Sequence, residues 1–212
     1  MKKLFNVVLT ALVGLMLISN VNASGVAYSG SGTQNADLYT FTATTTGEIG
    51  AYFLGASASY TNTLTMKVNG VETPQSSAGL LNNHTSHVGD YVSLGHVHAG
   101  DVLTFQLNVL TTGNTWDSDK SFNSDGLNHI FSSTYSGDAS LHIPAGTYVG
   151  FEDIARGGDF DYNDETFVFT NISAVVSPVP EPETYAMLLI GLMVIGYAIR
   201  NNRRNEIAGM SI

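Results

Sequence analysis

The chain has 212 residues, no cysteine and a formal net charge of −10. Because no disulfide is available, stability has to come from core burial and from any bound metal. Residues 24–180 contain three basic and fifteen acidic residues, a balance of −12. Nucleic acids and anionic lipids need basic patches on a protein partner, so this balance argues against both and favours divalent cations.

The N-terminal segment has the three parts of a secretory signal peptide. Lys2 and Lys3 come first, and residues 4–18 are apolar except at three positions. Residues 21–23 (Val-Asn-Ala) then supply small side chains at the positions before the cleavage site that a signal peptidase recognises. We predict a signal peptide over residues 1–23, with cleavage after its last residue.

The residue pattern of the central region predicts a series of short strands. Residues 24–34 are rich in Ser and Gly and are predicted to be a loose lead-in. The predicted strands cover residues 38–44, 49–54, 64–68, 91–97, 102–110, 129–131, 140–143, 147–151 and 166–172. Short alternating segments separated by turns, without a helical period, predict an all-β domain over residues 24–176. We expect an antiparallel β-sandwich of the jelly-roll-like kind.

An acidic stretch lies at residues 152–165. It contains six acidic residues. Their charges repel one another unless a cation, protonation or solvation reduces the repulsion. Asp159, Asp161 and Asn163 occupy alternate positions, as the first side-chain ligands of a Ca²⁺ loop do, and the Gly pair at 157–158 allows a tight turn. The alternative is a solvated acidic hairpin loop. The ligands that we predict for a Ca²⁺ site are Glu152, Asp153, Asp159, Asp161, Asn163 and Asp164.

A second stretch of oxygen donors precedes it, at residues 117–128. Asn123 and Asp125 lie there in a turn that ends with a glycine. We predict them as ligands of a second, weaker Ca²⁺ site. The alternative is a long polar loop without a ligand.

Two other kinds of site remain open from the residues alone. His96 and His98 share one face of a predicted strand, and His84 and His87 precede it, so a Zn²⁺ module is one alternative. A secreted polysaccharide-active enzyme that uses the acidic stretch as an acid/base pair is the other. The sequence contains no nucleophile elbow or phosphate loop, so we expect a protein without catalytic residues.

The C-terminal segment consists of three consecutive parts. Prolines in the Pro-Glu-Pro motif at residues 180–182 prevent regular structure there. Residues 185–199 are uncharged and would form a helix of about 22 Å, which spans a hydrocarbon core of about 30 Å only with local thinning. Arg200, Arg203 and Arg204 follow, and the positive-inside rule assigns them to the cytoplasm.

These parts predict the organisation of the C-terminus. We expect a linker over residues 177–184, a transmembrane helix over 185–199 and a basic cytoplasmic tail over 200–212. The alternative is a buried helix of a soluble domain, which should have a polar face that this run lacks.

The tripartite ending resembles the PEP-CTERM sorting signal of Gram-negative bacteria. The residues that carry the motif are Pro180, Glu181 and Pro182. The resemblance implies processing by an exosortase-type enzyme during a transient stay in the inner membrane. It also implies delivery to the cell surface or the extracellular matrix, in association with exopolysaccharide.

Three elements of the central region resemble a family of β-domains of unknown function found in secreted bacterial proteins. The elements are Asn123, Asp125, Gly126 and His129; Gly146, Tyr148 and Gly150–Asp153; and Gly157–Asp164 with Phe167. The resemblance covers residues 114–170. It implies an extracellular β-domain that binds Ca²⁺ and has no established catalysis. Together these features predict an exported protein with a structural or adhesive role.

Overall fold

The computed structural model describes residues 26–177, 186–197 and 199. The predicted signal peptide, the Pro-Glu-Pro motif and the arginine cluster therefore lie outside the described residues. The strands are β1 (Leu38–Ala43), β2 (Gly47–Gly55), β3 (Asn62–Val68), β4 (Val71–Glu72), β5 (Tyr91–Val97), β6 (Val102–Val109), β7 (Asn114–Asp117), β8 (Ile130–Tyr135), β9 (Gly146–Phe151), β10 (Glu165–Thr170) and β11 (Ile172–Ser177).

Residues 186–197 and 199 are helical. In the part of the chain that the structure describes, no helix has both the length and the apolar character needed to cross a membrane. The transmembrane helix over residues 185–199 stays a prediction.

The strands form two antiparallel sheets. In the first sheet the order is β11-β1-β6-β3-β4, with β7 also paired to β6. In the second sheet the order is β5-β2-β10-β9-β8. The prediction of an all-β antiparallel sandwich is confirmed.

The core lies between the two sheets and follows from the alternation of apolar residues. In β6 every second side chain, from Leu103 to Val109, is buried. Phe105 of β6 stacks on Phe169 of β10, with ring centroids 3.9 Å apart, and this contact joins the sheets. Because the inner faces are filled in this way, a polar site has to lie outside the space between the sheets.

A smaller apolar cluster covers the outer face of the second sheet. Leu54, Tyr148 and Val168 pack there with Ile143, which is 2 % exposed. The prediction of a strand at residues 140–143 is wrong, because this segment is a turn whose apolar residue packs on the sheet instead of pairing along it.

Three further strands differ from the predictions. β4 and β7 are too short and too polar to show an alternating pattern. Asn171, at φ 63°, ends β10, and β11 then continues to Ser177 and pairs with β1. The residues that we placed at the domain boundary, 176–177, are thus part of the sheet.

The lead-in before β1 is attached to the domain rather than loose. Tyr28 packs against Phe131 and, edge to face, against Tyr162, with centroids 5.1 and 5.0 Å away. The backbone amide of Asn35 donates to the Tyr162 hydroxyl at 2.8 Å. We call residues 26–35 the strap, because they cross the acidic loop and hold one of its residues in the domain.

Candidate metal centre

The acidic loop, residues 152–164, connects two paired strands. β9 and β10 are neighbours in the second sheet, and Phe151 pairs with Glu165 at the end of their ladder. The two ends of the loop are therefore held side by side at one end of the sandwich. The strand pairing on which the predicted ligand set depends is present.

The loop backbone is unusually bent. Phe160 and Tyr162 have φ values of 52° and 55°, in the left-handed region that costs a side-chain-bearing residue about 1 kcal/mol. Gly158 combines φ 55° with ψ −123°, which favours glycine, and a Cβ there would lie 2.9 Å from the Glu152 carboxylate. The glycine thus lets the loop close over a buried carboxylate.

Three carboxylates of this loop converge. Glu152, Asp159 and Asp161 each place an oxygen within 4.8 Å of the others. Ca²⁺ holds oxygen ligands at about 2.3–2.6 Å, so two ligands on opposite sides of the ion are separated by about 5 Å. The spacing therefore fits a cation, and no other group of three or more Asp, Glu, His or Cys side chains converges in this way among the described residues.

Glu152 is the buried member of the three. Its side chain has no exposed surface, and its Oε1 accepts a hydrogen bond from the Tyr162 amide at 2.6 Å. Its Oε2 has no hydrogen-bond partner among the described residues. Burial, reinforced by the neighbouring carboxylates, raises the pKa of Glu152 to about 8. An unpaired buried carboxylate of this kind needs a proton or a cation.

The other two carboxylates are more accessible. Asp159 is exposed, and Asp161 is half-buried with a pKa that burial raises. Asp161 accepts hydrogen bonds from the backbone amide and the side-chain amide of Asn163. Asn163, predicted as a ligand, thus uses its side-chain nitrogen to orient the carboxylate of Asp161.

The remaining predicted ligands lie next to this group. Asp153 accepts a hydrogen bond from the Asn62 side chain at 2.8 Å, and Asp164 accepts one from the Asp153 backbone amide at 2.9 Å. Glu165, which was not predicted, has no exposed surface, and neither of its carboxylate oxygens has a partner among the described residues. Burial, with the neighbouring charges of Asp153 and Asp164, raises the pKa of Glu165 well above its usual value.

The base of the loop is held by an aromatic pair that the sequence predictions missed. Trp116 of β7 stacks on His129, with parallel rings 3.9 Å apart, and both are buried. The Trp116 indole donates to the backbone carbonyl of Asp153 at 2.9 Å. One ring nitrogen of His129 lies 3.0 Å from the carbonyl of Glu152, and the other lies 3.0 Å from Asp125.

Asp125 completes this connection from the other side. Its Oδ2 also accepts the backbone amide of Arg156, a loop residue, at 2.8 Å. Burial alone would raise the pKa of Asp125, but hydrogen bonds from Leu127, Arg156 and His129 outweigh it and lower the pKa. We call Trp116, Asp125 and His129 the brace. The Asn-x-Asp-Gly-x-x-His element contains Asp125 and His129 and was the sequence signal for these two, whereas Trp116 lies outside it.

The second predicted Ca²⁺ site involves the same segment. Asn123 accepts the backbone amide of Asp117 and donates to the carbonyls of Asp117 and Leu127. Asp125 belongs to the brace. The structure thus gives both predicted ligands hydrogen-bond roles within the fold, and a second Ca²⁺ site stays a prediction.

The histidines of the alternative zinc site do not form a convergent group among the described residues. His96 and His98 have ring centroids 6.2 Å apart, and the side chain of His98 is 82 % exposed. His87 pairs with Asp90, on its own turn, at 3.8 Å.

Two open clefts flank the acidic loop. One, of about 410 Å³, is bordered by Tyr60, Asp159 and Asp164. The other, of about 500 Å³, is bordered by the strap and by Asp161 and Asn163. Glu152 borders neither cleft, because it lies beneath the loop.

Comparison with known families gives two matches. A family model described as a domain of unknown function (DUF4114) matches residues 11–171, and the PEP-CTERM protein-sorting motif matches residues 178–204. No curated protein and no solved structure matches the chain. The first match spans the whole site described above, and both agree with the resemblances found in the sequence.

Proposed function

Because the chain belongs to the DUF4114 family and carries a PEP-CTERM sorting motif, which is the signal for export and exosortase-type processing, we propose a non-enzymatic, Ca²⁺-binding surface protein. In this proposal the helix over residues 185–199 holds the chain in the inner membrane until processing. The β-sandwich then reaches the cell surface or the extracellular matrix, where it has a structural or adhesive role beside polysaccharide.

One observation carries the metal assignment. Glu152 is fully buried, its Oε2 has no partner among the described residues, and this carboxylate converges with Asp159 and Asp161. Burying an unpaired carboxylate costs several kcal/mol unless a proton or a cation compensates it. A Ca²⁺ ion would supply that compensation and would link Glu152, at the start of the loop, to Asp159 and Asp161.

The alternative of a polysaccharide-active enzyme has one observation in its favour. Glu152, whose pKa burial raises to about 8, lies beside the carboxylates of Asp159 and Asp161, and this arrangement resembles an acid/base pair. Against it, Glu152 borders neither cleft, so a substrate would have no access to the proton. The geometry therefore favours binding over catalysis.

The test is a thermal melt of the purified chain in chelator, in Mg²⁺ and in Ca²⁺. A ligand that binds only the folded state raises its stability by mass action, so millimolar Ca²⁺ should raise Tm by several degrees where Mg²⁺ does not. Asp161→Asn should lower the Ca²⁺ affinity and the Ca²⁺-dependent part of Tm together. The matched control is Asp37→Asn, at an exposed position outside the loop.

The same variants separate the alternatives. If Asp161→Asn abolished turnover of a glycan and left the Ca²⁺ shift of Tm intact, the enzyme would be favoured. If Ca²⁺ produced no shift in the unaltered chain, the acidic loop would be a solvated loop and the metal assignment would fail.

A further inference from the structure

The predicted ligands leave the proposed ion accessible. Ca²⁺ takes six to eight oxygen ligands, whereas Glu152, Asp159 and Asp161 supply three to six. Only Glu152 is buried, and each of the other two borders one of the open clefts. The converging oxygens thus lie between the two open clefts, and water or the oxygens of a ligand that enters a cleft would complete the shell.

The charge around the ion decides which ligand oxygens fit. Three carboxylates give −3 against the +2 of the ion, and Asp153 and Asp164 border the same cleft as Asp159. An anionic ligand would meet a site that is still negative, so carboxylate and phosphate groups are disfavoured. Neutral hydroxyl oxygens carry no such penalty, and two of them on adjacent carbons can bind one ion together.

The walls of the smaller cleft suit a sugar. Ser57 and Ser59 offer hydroxyls at its edge, and Ile154, which is 44 % exposed, offers an apolar surface. Tyr60 is half-buried against the core, and its carbonyl accepts the Asn83 side chain at 2.8 Å, so this aromatic residue is held at the edge of the cleft. An aromatic face beside hydroxyl donors is the usual way to bind the mixed surface of a pyranose ring.

We infer that the Ca²⁺ centre binds neutral carbohydrate, with two adjacent sugar hydroxyls on the ion and the sugar ring against Tyr60. This inference rests on the proposed Ca²⁺ site and specifies its ligand. It assigns the cleft of about 410 Å³ as the sugar subsite and excludes uronic acids as preferred ligands.

The experiment uses saturation-transfer NMR on the full chain at millimolar Ca²⁺. The probes are the methyl glycosides of glucose, mannose and galactose, compared with glucuronate and galacturonate. We expect at least one neutral glycoside to bind, to lose its signal when chelator removes the ion, and to outcompete both uronates.

Two variants locate the subsite. Tyr60→Ala should weaken sugar binding at least tenfold and leave the Ca²⁺-dependent shift of Tm in place. The matched control is Tyr91→Ala, because Tyr91 is 52 % exposed on β5 and borders neither cleft. Equal losses in the two variants would overturn the assignment of the subsite.

The outcomes distinguish this inference from the function on which it rests. A Ca²⁺ shift of Tm without binding of any neutral glycoside, or with preferred binding of a uronate, overturns the sugar assignment alone. The absence of any Ca²⁺ shift overturns both. Sugar binding that persists in chelator overturns the role of the ion in holding the sugar.

Discussion

Two acid-rich segments of this domain resemble each other in sequence but differ in how their charges are compensated. In residues 117–125, Asp117 is buried, and its two oxygens accept Lys67 and Gln106, each at 2.8 Å. Glu152 of the acidic loop and Glu165, the first residue of β10 after it, are equally buried, yet three of their four carboxylate oxygens have no partner among the described residues.

The difference lies in the supply of donors. The first segment packs beside β3 and β6, which present a lysine and an amide, while the loop has Arg156 as its one basic residue. The Arg156 backbone amide is directed to Asp125 of the first segment. Composition alone therefore does not separate the two segments; the uncompensated oxygens of Glu152 and Glu165 do.

The largest effect should follow from removing a donor of the brace. His129→Phe keeps a ring to stack on Trp116 but removes the two ring nitrogens that lie 3.0 Å from the carbonyl of Glu152 and from the carboxylate of Asp125. Each lost buried hydrogen bond costs about 1–3 kcal/mol, so we expect a loss of about 3 kcal/mol, or about 6–12 °C in Tm. Thermal melts in chelator and in Ca²⁺ should both show it.

The control for this variant is His84→Phe, at an exposed position of a loop. It should change Tm by less than about 2 °C, as surface substitutions usually do. A similar small change in His129→Phe would mean that the brace does not stabilise the loop.

A pH series should distinguish the segments next. Burial raises the pKa of Glu152 to about 8 and also raises those of Asp164 and Glu165. The ordinary pKa values of these carboxyl groups lie near 4.5. Between that pH and about pH 8, the folded, metal-free chain therefore binds more protons than the unfolded chain. Stability present below this window is lost as the pH rises through it.

We expect the Tm of the chelated chain to fall by about 4–8 °C from pH 5 to pH 8.5. Saturating Ca²⁺ should abolish most of the fall, because the ion replaces the protons. A Tm that stayed constant over this range in chelator would show that these carboxylates are solvated in the folded chain.

The smallest expected effect is that of Glu152→Gln on Tm, and its sign differs between chelator and Ca²⁺. Glu152→Gln removes the buried charge, so in chelator at pH 8 it should raise Tm by about 2–4 °C, equivalent to about 1 kcal/mol. In Ca²⁺ it should reduce the metal-dependent shift. Glu72→Gln, at an exposed position of β4, is the matched control and should do neither. A lower Tm in chelator would mean that Glu152 is compensated already.

The sequence predicted the sandwich and the loop better than it predicted the details of the site. Alternating apolar residues located most strands, because their burial follows the local period. The apolar residues at 140–143 misled, since Ile143 is buried by tertiary packing rather than by strand pairing. β7 was missed because it has only four residues, yet it carries Trp116 of the brace.

Within the site, the alternation of acids located Asp159 and Asp161, and the expected strand pairing brought Glu152 to them. The sequence did not show that Asn163 turns its nitrogen toward Asp161 or that Glu165 is buried. The orientation of Asn163 and the burial of Glu165 depend on which neighbouring strands supply hydrogen-bond donors. The order of residues in the sequence does not indicate which strands become neighbours.

The strap has a consequence for folding kinetics. Asn35 and Tyr162, which it joins, are 127 residues apart, so one wall of the candidate metal centre is assembled from opposite ends of the domain. Contacts of such separation form late, since loop closure has to precede them. A Ca²⁺ ion that requires this wall would bind only after the folding barrier is passed. It would slow unfolding and leave the refolding rate almost unchanged.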